Sequence, residues 1–220
     1  RISFMNDIAN LCELVGADIS EIRVAIGADS RIGRHYLFPG IGYGGSCFPK
    51  DVKALISTAD ALGYNLKICR ATDVVNTRQR ELFWSRIEDY FRSGLKGKRF
   101  GIWGISFKPE TDDIREAPSL YIIDRLLSNG AEVTVHDPAA MENAKNHFGD
   151  RVRYGGSNYD ACRGAHALVI NTEWNEYRQP DFPKMKELMK DYVIFDGRNL
   201  YNPGKLEKIG FKYFGVGMHN

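Results

Sequence analysis

The chain has few cysteines and none of the patterns that put cysteine to structural use. Its 220 residues hold four, Cys12, Cys47, Cys69 and Cys162. They are widely scattered with no Cys-x-x-Cys pair, which excludes a disulfide framework and a zinc site and leaves reduced thiols as the simpler reading. The histidines, His35, His136, His147, His166 and His219, are equally dispersed, so no metal site is expected. No apolar run approaches membrane-spanning length and no leader pattern opens the chain, so a cytoplasmic protein with no membrane partner is expected. The net charge is only +2, too mild to argue for nucleic acid but suited to a small anionic ligand bound locally. Hydrophobic residues make up 43% of the chain, enough for the packed core of one large domain or two smaller ones.

Two further absences concern the start of the chain and its phosphate-binding motifs. There is no starting methionine and no N-cap ahead of Arg1, yet Phe4, Ile8, Leu11, Cys12 and Val15 already fall at helical spacing. The chain is therefore expected to begin inside a helix, as a fragment missing an N-terminal portion. A dinucleotide-binding loop needs Gly-x-Gly-x-x-Gly opening directly into a helix. This chain instead has Gly101-Ile-Trp-Gly104-Ile-Ser-Phe107 and then the polar loop Lys108–Arg115, although Asp137 does end the next expected strand. The spacing predicts a Rossmann-like sheet whose first loop serves something other than NAD.

What the chain does have is glycine concentrated at one place. In Phe38-Pro-Gly-Ile-Gly-Tyr-Gly-Gly-Ser-Cys47, the glycines Gly40, Gly42, Gly44 and Gly45 run straight into a cysteine. Such a main chain can take positive φ and approach a ligand closely. Pro49 suits the first turn of a helix that continues through Ala54, Leu55, Ile56 and Leu62 to a stop at Gly63. Cys47 then stands just before a helix N-terminus, where unpaired amides favour an anion and hence a thiolate nucleophile. Asp51 lies one turn along the same face.

Around this stretch the pattern divides. Asp18-Ile-Ser-Glu21 has capping-box spacing for a short helix to about Ile26, followed by a polar turn holding Arg31. Residues 68–95 form one long helical run whose stripe of Val75, Leu82, Phe83, Ile87, Tyr90, Phe91 and Leu95 is read as core or subunit interface. Beyond Ser93–Lys98, short apolar strands near 99–105, 132–136, 152–154, 167–171 and 193–196 alternate with helices near 118–128, 139–147, 159–163 and 183–190. That alternation predicts an α/β fold with a doubly wound parallel sheet. Lys108, Arg115 and Arg198 then fall in strand-end loops, where ligands gather in such sheets and where cations suit phosphate groups.

Three stretches together, Gly42–Asp51, Ser106–Glu116 and Asp196-Gly-Arg198, resemble the nucleotide-sugar dehydrogenases of the UDP-glucose/GDP-mannose dehydrogenase family. The resemblance covers the whole chain. The form of the cysteine motif looks more like the UDP-glucose enzymes than those acting on GDP-mannose or UDP-N-acetylmannosamine.

The resemblance implies a central helical dimerisation region with the cysteine loop at 1–96 and a Rossmann-like, UDP-binding α/β domain at 97–220. It also implies an N-terminal NAD-binding domain that this chain lacks, and a homodimer formed through the long helix. The implied reaction is a two-step, four-electron oxidation of a sugar alcohol to a carboxylate by NAD. Cys47 holds the intermediate as thiohemiacetal and then thioester, and Asp51 positions or activates water. The family's oxyanion-stabilising lysine and asparagine match positions upstream of Arg1. By the same resemblance Phe38, Pro39, Gly40, Ile41, Gly42, Tyr43, Gly44, Phe107, Lys108 and Arg198 line the UDP-sugar, Arg31 reaches a neighbouring subunit's site, and Arg115 touches NAD. Lys50 and Lys53 match the motif and also read as exposed helix charges. The alternative is a non-catalytic module for nucleotide-sugar binding or dimerisation.

Overall fold

The computed structural model describes residues 1–218, so His219 lies outside the described residues. The chain opens in helix α1 (Ile2–Val15), followed by α2 (Ile19–Ala28), α3 (Phe48–Ala61) and α4 (Lys67–Tyr90). Asp18 caps α2 as the spacing predicts, its Oδ1 accepting from the Ser20 N–H at 2.7 Å. Pro49 stands in the first turn of α3 and Cys47 is its N-cap residue. The long run expected over 68–95 is shorter as a helix, because Phe91 leaves helical geometry (ψ 47°) and Gly94 turns the chain at φ 101°.

The apolar stripe nevertheless continues through the break. Phe83, Ile87, Phe91 and Leu95 are buried in one cluster with Phe100 and Phe195, and Phe91 meets Phe100 edge-on at 5.2 Å. This half of the stripe is core within the chain. Towards the start of α4, Ile68 is 82% exposed.

The remaining elements form a single six-stranded sheet. Its strands are β1 (Arg99–Trp103), β2 (Glu132–His136), β3 (Arg153–Tyr154), β4 (Ala167–Ile170), β5 (Val193–Asp196) and β6 (Lys212–Phe214). Helices α5 (Pro118–Ser128), α6 (Met141–Phe148), α7 (Asn158–Cys162), α8 (Asn175–Arg178), α9 (Phe182–Leu188) and α10 (Pro203–Lys208) intervene. The order is β3-β2-β1-β4-β5-β6, every pair parallel, which is the Rossmann arrangement despite the missing fingerprint. Fully buried β4, and β5 up to its terminal Asp196, read as apolar runs for that reason. The short α8, α10 and β6 were absent from the periodicity, which needs more than a few residues to show.

β1 stops two residues earlier than expected. Gly104 has φ 88° and packs directly on Thr172, so a Cβ there would collide with that side chain and backbone. The reversal of strand order between β1 and β4 leaves a crevice at their carboxyl ends. The helical part is fastened to the sheet part by Arg86 of α4. Its guanidinium pairs with Glu13 at 2.6 Å and donates to the Gly215 carbonyl, while Glu13 also accepts from the Gly217 N–H at 2.6 Å.

Candidate active site at the cysteine loop and strand-end crevice

The glycine-rich loop is seated from both sides. From the helices, Asn6 of α1 accepts the Gly40 N–H at 2.8 Å. Asn76 of α4 accepts from the Tyr43 N–H at 2.9 Å and donates to its carbonyl at 3.0 Å. From the sheet, the Gly197 carbonyl accepts the Ile41 N–H at 2.9 Å and the Arg115 carbonyl accepts the Gly45 N–H at 2.8 Å.

The glycines were read as room for a ligand, and the structure assigns much of that room to the protein itself. A Cβ at Gly40 would stand 2.6 Å from the Gly197 carbonyl, one at Gly44 would run into the Glu116 backbone, and one at Gly45 would meet the Phe107 ring at 2.9 Å. The loop lies flat on the strand ends, and it carries Cys47 there.

Cys47 is exposed, at the first turn of α3, with Ser46 Oγ 3.6 Å from its sulfur. The Asp51 N–H donates to the Cys47 carbonyl at 2.8 Å, and the Asp51 carboxylate, largely exposed, pairs with Lys50 at 3.3 Å. Beside the loop runs an open cleft of about 670 Å³ lined by Gly45, Ser46, Lys50, Lys53, Arg115 and His147 among others. Arg115 is gripped by Asp113 through Nε at 2.9 Å and Nη2 at 2.8 Å. These hydrogen bonds hold the Asp113 carboxyl below its ordinary range and raise Arg115, to which a thiolate at Cys47 adds a smaller push.

Two buried carboxylates that sequence reasoning gave no such role shape the crevice. Asp137 accepts from the N–H groups of Ile105, Ser106, Ala139 and Ala140, from Ser106 Oγ and from Trp174 Nε1, all between 2.7 and 3.2 Å. The sequence marked it only as the end of the next expected strand in a poor dinucleotide-binding match, and its capacity is spent on the loop that carries Phe107 and Lys108. Asp196, fully buried at the end of β5, takes the N–H groups of Arg198 and Leu200 and the Tyr213 hydroxyl. Burial pushes its carboxyl up, and those donors oppose the shift. A carboxylate ending an apolar strand was the available signal for both. Asn6 and Asn76 left none, since their partners lie 34 and 33 residues away.

The structure thus brings Pro39 to Gly44, Phe107 and Arg198 together, with Cys47 and Arg115 at one end. The three cations do not behave alike: Arg198 is largely buried and Glu173 lies 3.2 Å from its Nε, whereas Lys108 is exposed with Nζ 5.4 Å from the Phe107 ring. Phe38 is 62% exposed beneath Arg23. Arg31 is not brought to the crevice, and pairs with Asp29 at 2.6 Å on the exposed turn after α2.

Known proteins match nearly the whole chain. Residues 1–78 match the central domain, and residues 101–203 the UDP binding domain, of the UDP-glucose/GDP-mannose dehydrogenase family. The UDP-glucose 6-dehydrogenase of Pseudomonas aeruginosa is 45% identical over 99% of this chain and 49% of its own length. UDP-glucose 6-dehydrogenase TuaD of Bacillus subtilis is 42% identical over 99% of this chain and 47% of its own. The chain thus spans about half the length of the curated relatives it matches. A UDP-glucose dehydrogenase structure from Pyrobaculum islandicum superposes with a TM-score of 0.87 at 36% identity, over 99% of this chain and 48% of that one.

Proposed function

The chain belongs to the UDP-glucose/GDP-mannose dehydrogenase family, and from that premise we propose that it is the nucleophile-bearing, nucleotide-sugar-binding part of an NAD-dependent UDP-glucose 6-dehydrogenase. The observation that carries the reading is Cys47: an exposed thiol on a helix start, on a loop pinned to both the helices and the strand ends. A nucleophile needs access and a fixed position, and this arrangement supplies both. Residues 1–96 are the cysteine-bearing dimerisation region and residues 97–220 the nucleotide-sugar domain.

The sheet does not itself fit a dinucleotide, because Asp137 is saturated by its own loop and Gly104 packs on Thr172. Arg115, exposed on the cleft beside Cys47, is the residue of this chain that fits NAD. The cofactor, held mainly by sequence outside this chain, supplies the hydride acceptor when bound. Cys47 adds to the sugar aldehyde to give a thiohemiacetal, which keeps the intermediate covalently held. One hydride from the alcohol, to form that aldehyde, and a second from the thiohemiacetal would pass to NAD when bound, so that Cys47 would hold a thioester and Asp51, one turn on, would orient or deprotonate the water that cleaves it. The UDP-sugar lies along Phe38–Gly44, Phe107, Lys108 and Arg198. The exposed Ile68 and Val74 of α4 support a homodimer through that helix, with Arg31 reaching the neighbouring subunit's site.

The test joins this chain to an NAD-binding domain of the family and follows NADH formation with UDP-glucose, GDP-mannose and UDP-N-acetylmannosamine. Turnover with UDP-glucose alone, abolished in Cys47→Ser, is the expected result. Unchanged turnover in Cys47→Ser, or none with any of the three sugars, refutes the reading.

A further inference from the structure

Arg198 and Lys108 both stand in strand-end loops beside Phe107, in different electrostatic company. The Arg198 side chain is 16% exposed and Glu173 Oε2 lies 3.2 Å from its Nε. The single Nε–H donates to the Asn171 carbonyl at 2.7 Å, so Glu173 Oε2 is a near counter-charge that accepts no hydrogen bond among the described residues, and Nη2 faces the Phe107 carbonyl at 3.5 Å. Nη1 stands against Gly40, 3.3 Å from where a Cβ would be. Arg198 therefore carries its own counter-charge, in a corner with little water to screen it. Lys108 is exposed, and among the described residues no carboxylate forms an ion pair with it.

A diphosphate is recognised by positive charge that is free to act on it. A guanidinium paired with a carboxylate exerts little net field, but it retains directed N–H donors and its partner retains acceptor lone pairs. Such a donor and acceptor side by side match a sugar hydroxyl, which both donates and accepts. The pair also lies at the carboxyl ends of β4 and β5, facing the glycine loop that leads to Cys47.

Resting on the nucleotide-sugar reading above, we propose that Glu173 is a specificity-determining residue: by neutralising Arg198 it makes this corner of the crevice a subsite for the sugar's hydroxyls and leaves the diphosphate to Lys108.

Calorimetric titration of the chain with UDP and, separately, with UDP-glucose tests this. Glu173→Gln is expected to weaken UDP-glucose about tenfold and leave UDP within about twofold, at an unchanged melting temperature. Glu173→Asp, which keeps the charge, restores most of the loss. Lys108→Ala weakens both ligands alike, and its effect fades with added salt. If Arg198 instead serves phosphate, removing its counter-charge tightens UDP. Tighter UDP binding in Glu173→Gln, equal losses for both ligands, or unchanged UDP-glucose affinity therefore overturns the proposal. A wild-type chain that binds neither ligand overturns the nucleotide-sugar reading itself, an outcome distinct from any Glu173 effect.

Discussion

The strand-end crevice and the cysteine helix lie side by side and are built on opposite lines. At the strand ends the charged groups are buried and bonded: Asp137 and Asp196 are almost inaccessible and Arg198 is paired. On the cysteine helix Cys47, Lys50, Asp51 and Lys53 are all exposed. The difference separates two tasks. Groups that fix loop geometry must be desolvated and over-determined, whereas groups that meet a reactant must remain open to it. The glycine loop joins the two regimes, with its backbone bound to the rigid side and its final residues on the open side.

That contrast breaks most sharply at Asp137. Asp137→Ala leaves several buried donors without a partner and is expected to destabilise the fold by about 3–5 kcal/mol, read as a lowered urea midpoint. A loss below about 1 kcal/mol would mean that water replaces the carboxylate and that the crevice is less dry than its geometry implies.

A smaller effect is expected where the two regimes touch. Gly44→Ala forces a methyl group into the Glu116 backbone and is expected to cost about 1–3 kcal/mol. It should also lift the loop, so that hydrogen exchange at the Gly45 amide, now bound to the Arg115 carbonyl, accelerates. Unchanged exchange would show that the loop is held from the helices alone.

The smallest effect lies at the opposite end of the sheet. The nearly buried His166 accepts the Arg99 N–H on Nδ1 at 3.0 Å, which requires the neutral ring. Burial chiefly, then Lys190 and Lys98, lower its pKa. The unfolded chain therefore takes up a proton before the folded one. The contribution of His166 to stability is complete above the ordinary histidine value of about 6.5 and declines as pH falls below it. Denaturant midpoints across that window should fall with acid in the wild type and less in His166→Gln. Parallel profiles would exclude His166 as the source.

Much of this was legible in the sequence because its signals are local. The α/β alternation, the Asp18 cap, Pro49 in the first turn of α3 and Cys47 at the helix start all depend on neighbours within one turn or strand. The long helix was legible in its stripe but not in its end, since burial of Phe91 and Leu95 continues after the helical hydrogen bonds stop. For the glycines the sequence established that something comes close, and could not say whether it is ligand or protein.

By itself, then, the sequence determined the class of fold, the placement of a thiol on a helix start and the cations in strand-end loops, because backbone preference and hydrophobic period act over short range. Only the tertiary structure decided what surrounds them. It set Glu173 beside Arg198, left Lys108 without a carboxylate partner among the described residues, turned Asp137 inward onto its own loop, and closed Gly44 against Glu116. Those outcomes join segments far apart in the chain, where packing and desolvation, rather than local propensity, choose the partner of each charge.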